Sequence, residues 1–342
     1  MSDTHLSSLL VSGVPTIGTG GLLPFTGKHF FVDPATGSDG NTGSADSPFK
    51  TLYKAIAKAT AGNNDVIFLV GDGSTTGTAR LSLANAQAIA AGATDGTLEW
   101  SKNATHLIGL TAPTRVASRA RLAPPTGTYT QATFGSANFM EVSASGCLFA
   151  NFSFFHGFST GGTNQIVVAD SGARNCYVNV HFGSMGDAAS AADAGSRAVK
   201  ISGGGEHRFT DCVFGLDTVT RGAANALVEF SGGTARSVFE NCLFLFQTSA
   251  ATPLGIIVSA AAGSDRWQLF DRCKFINNIK STSTQMDGLA TLAASMGGLL
   301  LFDRPTMVGI TEFGSDATSR GQIYVDGAAP TAATSGIAVN PT

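Results

Sequence analysis

Three observations predict an all-β solenoid, specifically a parallel β-helix with coils of about 30 residues. A hexad Phe-x-Asn-(Cys or apolar)-x-Phe recurs at that spacing, the chain is rich in glycine and poor in charge, and helix-length amphipathic windows are missing. The hexad occurs as Phe149–Phe154, Tyr177–Phe182, Phe209–Phe214, Phe239–Phe244, Phe270–Phe275 and, with substitutions, Phe302–Met307. Its third positions are separated by 28, 32, 30, 31 and 32 residues. Second apolar segments lie between the hexads, at 166–168, 198–201, 226–230 and 256–258, most of them followed by glycine-rich joints. Short strands separated by turns at this period suit coils stacked at roughly 4.8 Å. A leucine-rich repeat would have a shorter period and a leucine consensus.

The composition agrees with that architecture. Of 342 residues, 42 are glycine and 13% are charged, against roughly 25% charged in ordinary domains. Tight coil joints demand glycine, and outward strand positions can be Ser, Thr or Ala. With 43% hydrophobic residues and 23 Phe the chain can bury a core, which excludes disorder, and glycines without a three-residue period exclude collagen. A net charge of −3 offers no basic field for phosphates, so nucleic acid is not an expected partner. No apolar run reaches the roughly 18 residues of a membrane span, so neither is a membrane, and the Leu6–Val11 patch lacks the basic flank of a signal peptide. A soluble, non-secreted product is expected.

In chain order, residues 1–27 form a first unit. Leu6, Leu9, Leu10, Val11, Val14, Ile17, Leu22 and Leu23 are spread among Ser, Gly and Pro, a pattern that builds no core of its own. An arm that orders against a partner is expected. Lys28–Pro34 reads as a strand. Ser47 as N-cap and Pro48 as first residue predict a capping helix near 48–60, with Leu52, Ile56 and Ala59 inward, closing the open end of the solenoid. Asp65–Gly71 and Thr105–Leu110 read as buried strands. The solenoid spans 28–325, and 326–342 is a tail of arm-like composition with Ile337 and Val339 near its end.

Within the hexad, strand alternation cannot turn positions one, four and six inward together. A bend at the third position resolves this, since Asn and Asp tolerate the left-handed backbone such a bend needs. Two interior columns follow: Phe152, Val180, Cys212, Cys242 and Cys273, and Phe154, Phe182, Phe214, Phe244 and Phe275. Cys176 falls outside them, and His181, between Val180 and Phe182, is expected to point outward. Five cysteines without a CxxC pair argue against both a zinc site and a disulfide framework, and the histidines show no metal-ligand spacing. No metal and no cofactor is expected.

The second hexad position gives an acidic column, Glu240, Asp271 and Asp303. Strand spacing puts neighbours about 4.8 Å apart, close to the roughly 5–5.5 Å between the carboxyls of retaining glycosidases. These three are the candidate catalytic residues if the chain is an enzyme. Arg272 and Arg304 in the next column favour a ladder of surface ion pairs instead. Asp33, Asp39 and Asp46 form the densest acidic stretch, read as turns closed by their own Asx bonds. Two Trp and four Tyr are few for a sugar platform.

The stretch from Phe30 to Gly43, through Ser47-Pro48-Phe49-Lys50-Thr51-Leu52, resembles the opening of right-handed parallel β-helix proteins of the pectate-lyase-like superfamily. The later hexads are similar to theirs, so the resemblance covers roughly 28–310. Gly13–Lys28, leading straight into that opening, resembles tailed-bacteriophage virion proteins of this fold. That resemblance implies a right-handed coil and a decoration or head-fibre protein on the outer surface of the capsid, made in the host cytoplasm. The major capsid protein and further copies of the chain, as a homotrimer, are the expected partners, with residues 1–27 as anchor. The alternative is a tailspike or fibre that binds or cleaves host polysaccharide as hydrolase or lyase.

Overall fold

The computed structural model describes residues 27–325, apart from 73, 128, 156, 160–163, 279–283 and 295, together with the backbone of three short strands ahead of them. Leu6, Leu9, Leu23 and the tail 326–342 lie outside the described residues. The three early strands, Leu10–Val11, Val14–Ile17 and Gly21–Leu22, pair antiparallel, so this part of the arm doubles back on itself.

From His29 onward the chain winds into a right-handed parallel β-helix of three sheets, with ten strands in the second and eight in each of the others among the described residues. One coil illustrates the path. Asn138–Val142 runs in sheet 1, Leu148–Ala150 in sheet 2 and Ser153–Phe154 in sheet 3, and Ile166–Asp170 then returns beside the first strand. Parallel registers align like residues, so Phe149, Tyr177, Phe209, Phe239, Phe270 and Phe302 occupy one row of sheet 2.

Their rings stack face to face inside the coil with centroids 4.9, 4.8, 4.5, 4.6 and 5.0 Å apart. Phe154, Phe182, Phe214, Phe244 and Phe275 form a second stack along sheet 3, at 6.1, 5.0, 4.7 and 4.6 Å. Each such contact adds roughly 0.5–1.5 kcal/mol beyond burial. Between the stacks lie Phe152, Val180, Cys212, Cys242 and Cys273, all fully buried. Their thiols donate to carbonyls of neighbouring coils, Cys242 Sγ to Phe209 O and Cys273 Sγ to Phe239 O. Burial pushes the thiols of Cys242 and Cys273 well up, so they stay protonated and serve as small apolar wedges.

The corner between sheets 2 and 3 is made by one left-handed residue per coil: Asn151, Asn179, Asp211, Asn241, Arg272 and Arg304, with φ between 47° and 60°. Asn179 Nδ2 donates to Asn151 Oδ1, and Asn241 Nδ2 to Asp211 Oδ1. A second left-handed row, Ala104, Arg174, Glu206 and Arg236, turns the chain from sheet 1 into sheet 2. No shared residue type marks this row, which is why sequence reading passes over it.

The capping helix is Leu52–Lys58, capped by Thr51, four residues later than Ser47 and Pro48 predict. Phe49 is held extended by a parallel bridge to Val32, and the Asp39 carboxylate accepts from Lys50 N and Thr51 N, so the backbone cannot turn until Thr51. Leu52, Ala55 and Ala59 bury against the first coils, and the Lys102 ammonium donates to the terminal carbonyls of Ile56 and Ala57. A second helix, Leu83–Ile89, packs beside it.

Candidate functional site

The outer face of sheet 2 carries two different chemistries along its length. In the C-terminal coils Glu240, Asp271 and Asp303 stand in register on adjacent strands. Arg208 reaches Glu240 at 2.6 Å, Arg272 bridges Glu240 at 2.8 Å and Asp271 at 2.9 Å, and Arg304 bridges Asp271 and Asp303 at 3.0 Å each. A parallel row, Arg174, Glu206 and Arg236, runs along the other corner. The hydrogen bond from Arg208 holds the Glu240 carboxyl below the ordinary range, and Arg304 does the same for Asp303. A general acid needs the opposite shift, a carboxyl raised toward neutrality. The candidate catalytic column is therefore brought together as a charge ladder in which each of the three acids is ion-paired with arginine.

The N-terminal coils of the same face are apolar. Val66, Ile108, Leu148, Ala150 and Val178 form a cluster outside the coil interior. A groove of about 580 Å³ lies here, floored by Ile108, Ala150 and Val178, with the corner residues Asn151, Asn179 and Asp211 along one edge. Its wall is the loop 111–120 with Leu110, whose side chain is 41% exposed. The loop is pinned across several coils: the Arg115 guanidinium donates to Asn241 O, Ala117 N to His181 Nδ1, and Ser118 Oγ to Asn151 O. Gly109 lets it leave the sheet, because a Cβ there would sit 2.0 Å from Asn151 O.

This loop corrects the reading of His181. Its side chain leaves the coil interior, but the loop covers it and it is only 2% exposed, with Nε2 against Gly215 O. Burial lowers its pKa, so the ring stays neutral. The sequence signal for the loop was a coil length: Leu107 and Phe149, neighbours in register, are 42 residues apart instead of about 30.

Of the acidic stretch, Asp33 closes its own turn, while Asp39 bonds the segment ahead of the capping helix and not its own turn. Asp33 accepts from Ala35 N, Thr36 N and Thr36 Oγ1, and Asp39 from Lys50 N, Thr51 N and Thr51 Oγ1. No cluster of three or more His, Cys, Asp or Glu with metal-holding geometry occurs among the described residues. Of the arm residues proposed for anchoring, Leu10, Val11, Val14, Ile17 and Leu22 fall on the antiparallel strands described by backbone alone.

No protein-family model matches this chain, and no curated protein does. Among solved structures it is similar to the pectin methylesterase PemA from Erwinia chrysanthemi, at 15% identity over 89% of this chain and 81% of that one, with a TM-score of 0.52. A pectin methylesterase in complex with a hexasaccharide matches at 15% identity over 93% and 86%, TM-score 0.51. The Aspergillus niger pectin methylesterase matches at 12% over 90% and 83%, TM-score 0.50. At such identities the likeness establishes the right-handed parallel β-helix, a fold used by polysaccharide-acting enzymes.

Proposed function

We propose that this chain is a non-catalytic virion structural protein of a bacteriophage, a decoration protein that joins a rigid β-helical rod to the head shell. The split outer face of sheet 2 supports the non-catalytic part of this reading, and the resemblance of Gly13–Lys28 supports the virion part. Every carboxylate of the candidate catalytic column is tied to an arginine, while the strands Thr105–Leu110, Leu148–Ala150 and Cys176–Val178 present an apolar groove. Binding through the arm and the adjoining coils, multiplied over three copies, would reinforce the shell by avidity. Particles assembled with and without the chain test this: those with it are expected to survive heat and osmotic shock longer, and equal survival contradicts the role.

The fold neighbours favour a second reading, a tailspike or fibre acting on polysaccharide, because those proteins are named for action on pectin. Full-length chain incubated with host surface polysaccharide separates the two. The first reading expects no new reducing ends from the wild type. Cleavage that Glu240→Gln or Asp271→Asn abolishes would establish the second.

A further inference from the structure

The two ends of the solenoid use their charges differently. Residues 28–125 carry nine Lys and Arg against seven Asp and Glu, and residues 126–325 carry twelve against fifteen. Among the described residues, every ion pair of a lysine or arginine with a carboxylate involves Arg174 or a later residue, so the cations of the first coils have no such partner. Most acids of those coils are engaged by the backbone instead: Asp33, Asp39, Asp65, Asp72 and Asp95 each accept from main-chain N–H groups, leaving Asp46 and Glu99.

Three of the unpaired cations gather on the helix that closes this end. In Leu52–Lys58 the residues Leu52 and Ala55, with Ala59 just after them, turn inward. At about 100° per residue, Lys54 and Lys58 fall on the side away from the coils, about 6 Å apart along the axis. Lys50 stands four residues ahead of Lys54, its N–H held by Asp39. Lys50 and Lys58 are exposed and Lys54 is half-buried. Gly27, through which residues 1–26 join the solenoid, packs against the backbone of Asn63 and Asn64, just past the end of this helix. The lysine row and the root of the arm therefore share one end of the rod.

We infer that the capped end of the rod seats on an acidic protein surface, with Lys50, Lys54 and Lys58 facing carboxylates of the partner. This rests on the proposed attachment to a shell and gives the chemistry of the surface that the rod meets. A lysine ammonium is a point charge on a flexible stem, which suits scattered carboxylates and needs none of the planar, bidentate fit of arginine. Salt confines its reach to roughly 8 Å under physiological conditions, so a local acidic patch feels the row, whereas an extended polyanion also meets the net negative coils behind it.

Rebinding of the full chain to particles stripped of it, followed from about 50 to about 500 mM salt, tests this. The wild type is expected to lose about tenfold or more in affinity across that range. The triple variant Lys50→Gln, Lys54→Gln, Lys58→Gln should bind about tenfold more weakly at low salt, with a flatter salt dependence and the thermal midpoint of the wild type. Wild-type rebinding that ignores salt, or a folded triple variant that rebinds as the wild type does, overturns the inference and leaves the attachment reading in place. No rebinding by the wild type at any salt concentration overturns the attachment reading and this inference with it. Duplex DNA or anionic vesicles that hold the wild type as tightly as the particles do, and the triple variant less, would reassign the row to another polyanion and overturn the inference as well.

Discussion

The C-terminal and N-terminal coils of sheet 2 share one interior and differ on the outside. Phe149 and Phe270 sit in the same aromatic stack, and Asn151 and Arg272 make the same left-handed corner, yet Ala150 and Val178 face a groove where Glu240 and Asp271 face arginines. The repeat therefore specifies how the chain coils and leaves the outward positions open to diverge. In the C-terminal coils those positions neutralise one another, and in the N-terminal coils they pack into an apolar cluster that floors a groove.

The largest expected effect comes from the shared interior. Phe239→Ala removes a ring stacked on both sides, at 4.5 and 4.6 Å, and should cost about 3–5 kcal/mol. Because each coil contacts only its neighbours, the loss should concentrate around that coil, and amide exchange should show it there first. Uniform loss of protection from 65 to 325 would mean the two regions do not behave as separable stretches.

Acid should reach the N-terminal coils first. Burial lowers the pKa of His106 from 6.5 to about 4, and also lowers those of His181 and His207. The folded rings stay neutral while the unfolded chain takes up protons below pH 6.5. Stability is therefore full above that pH and declines toward about pH 4, by up to about 3 kcal/mol for His106. Glu240 has the reverse origin: its depressed pKa stabilises the fold above 4.5 and is lost only as the pH falls further. Trp100, buried against Phe149, and Trp267 report the two regions separately in single-tryptophan variants. The Trp100 signal should move to lower urea at about pH 5 before the Trp267 signal, and His106→Gln should narrow the gap.

Smaller effects belong to the corner and the ladder. Asn241→Ala places alanine at φ 52° and removes the bond to Asp211, at a cost of about 1–2 kcal/mol that a lowered thermal midpoint would show. Glu240→Gln should change stability by less than about 1 kcal/mol, and molar salt should erase most of that difference. A large salt-resistant loss would mean the ladder is a buried element and not a surface one.

The interior was legible in the sequence because stacking repeats residue types: Phe over Phe, Cys over Cys and Asn over Asn give a hexad the eye can follow. The charge ladder was legible for the same reason, Arg272 and Arg304 standing beside Asp271 and Asp303. The corner at Ala104, Arg174, Glu206 and Arg236 was not, because a left-handed backbone can be supported by its surroundings as well as by residue type. The loop 111–120 occurs once, so no periodicity announces it, and the covering of His181 follows from that loop. The helix start was misplaced because Ser47 and Pro48 carry a strong local signal that Asp39 and Val32 override from a distance.

Under the proposed function, the N-terminal coils hold a partner while the C-terminal ladder only supports the rod. Rebinding of purified chain to particles stripped of it tests this directly. Wild type and Glu240→Gln are expected to rebind equally and restore heat resistance, and folded Val178→Asp, with a charge in the groove floor, is expected to fail. Equal rebinding by Val178→Asp, or loss of rebinding in Glu240→Gln, would contradict the account.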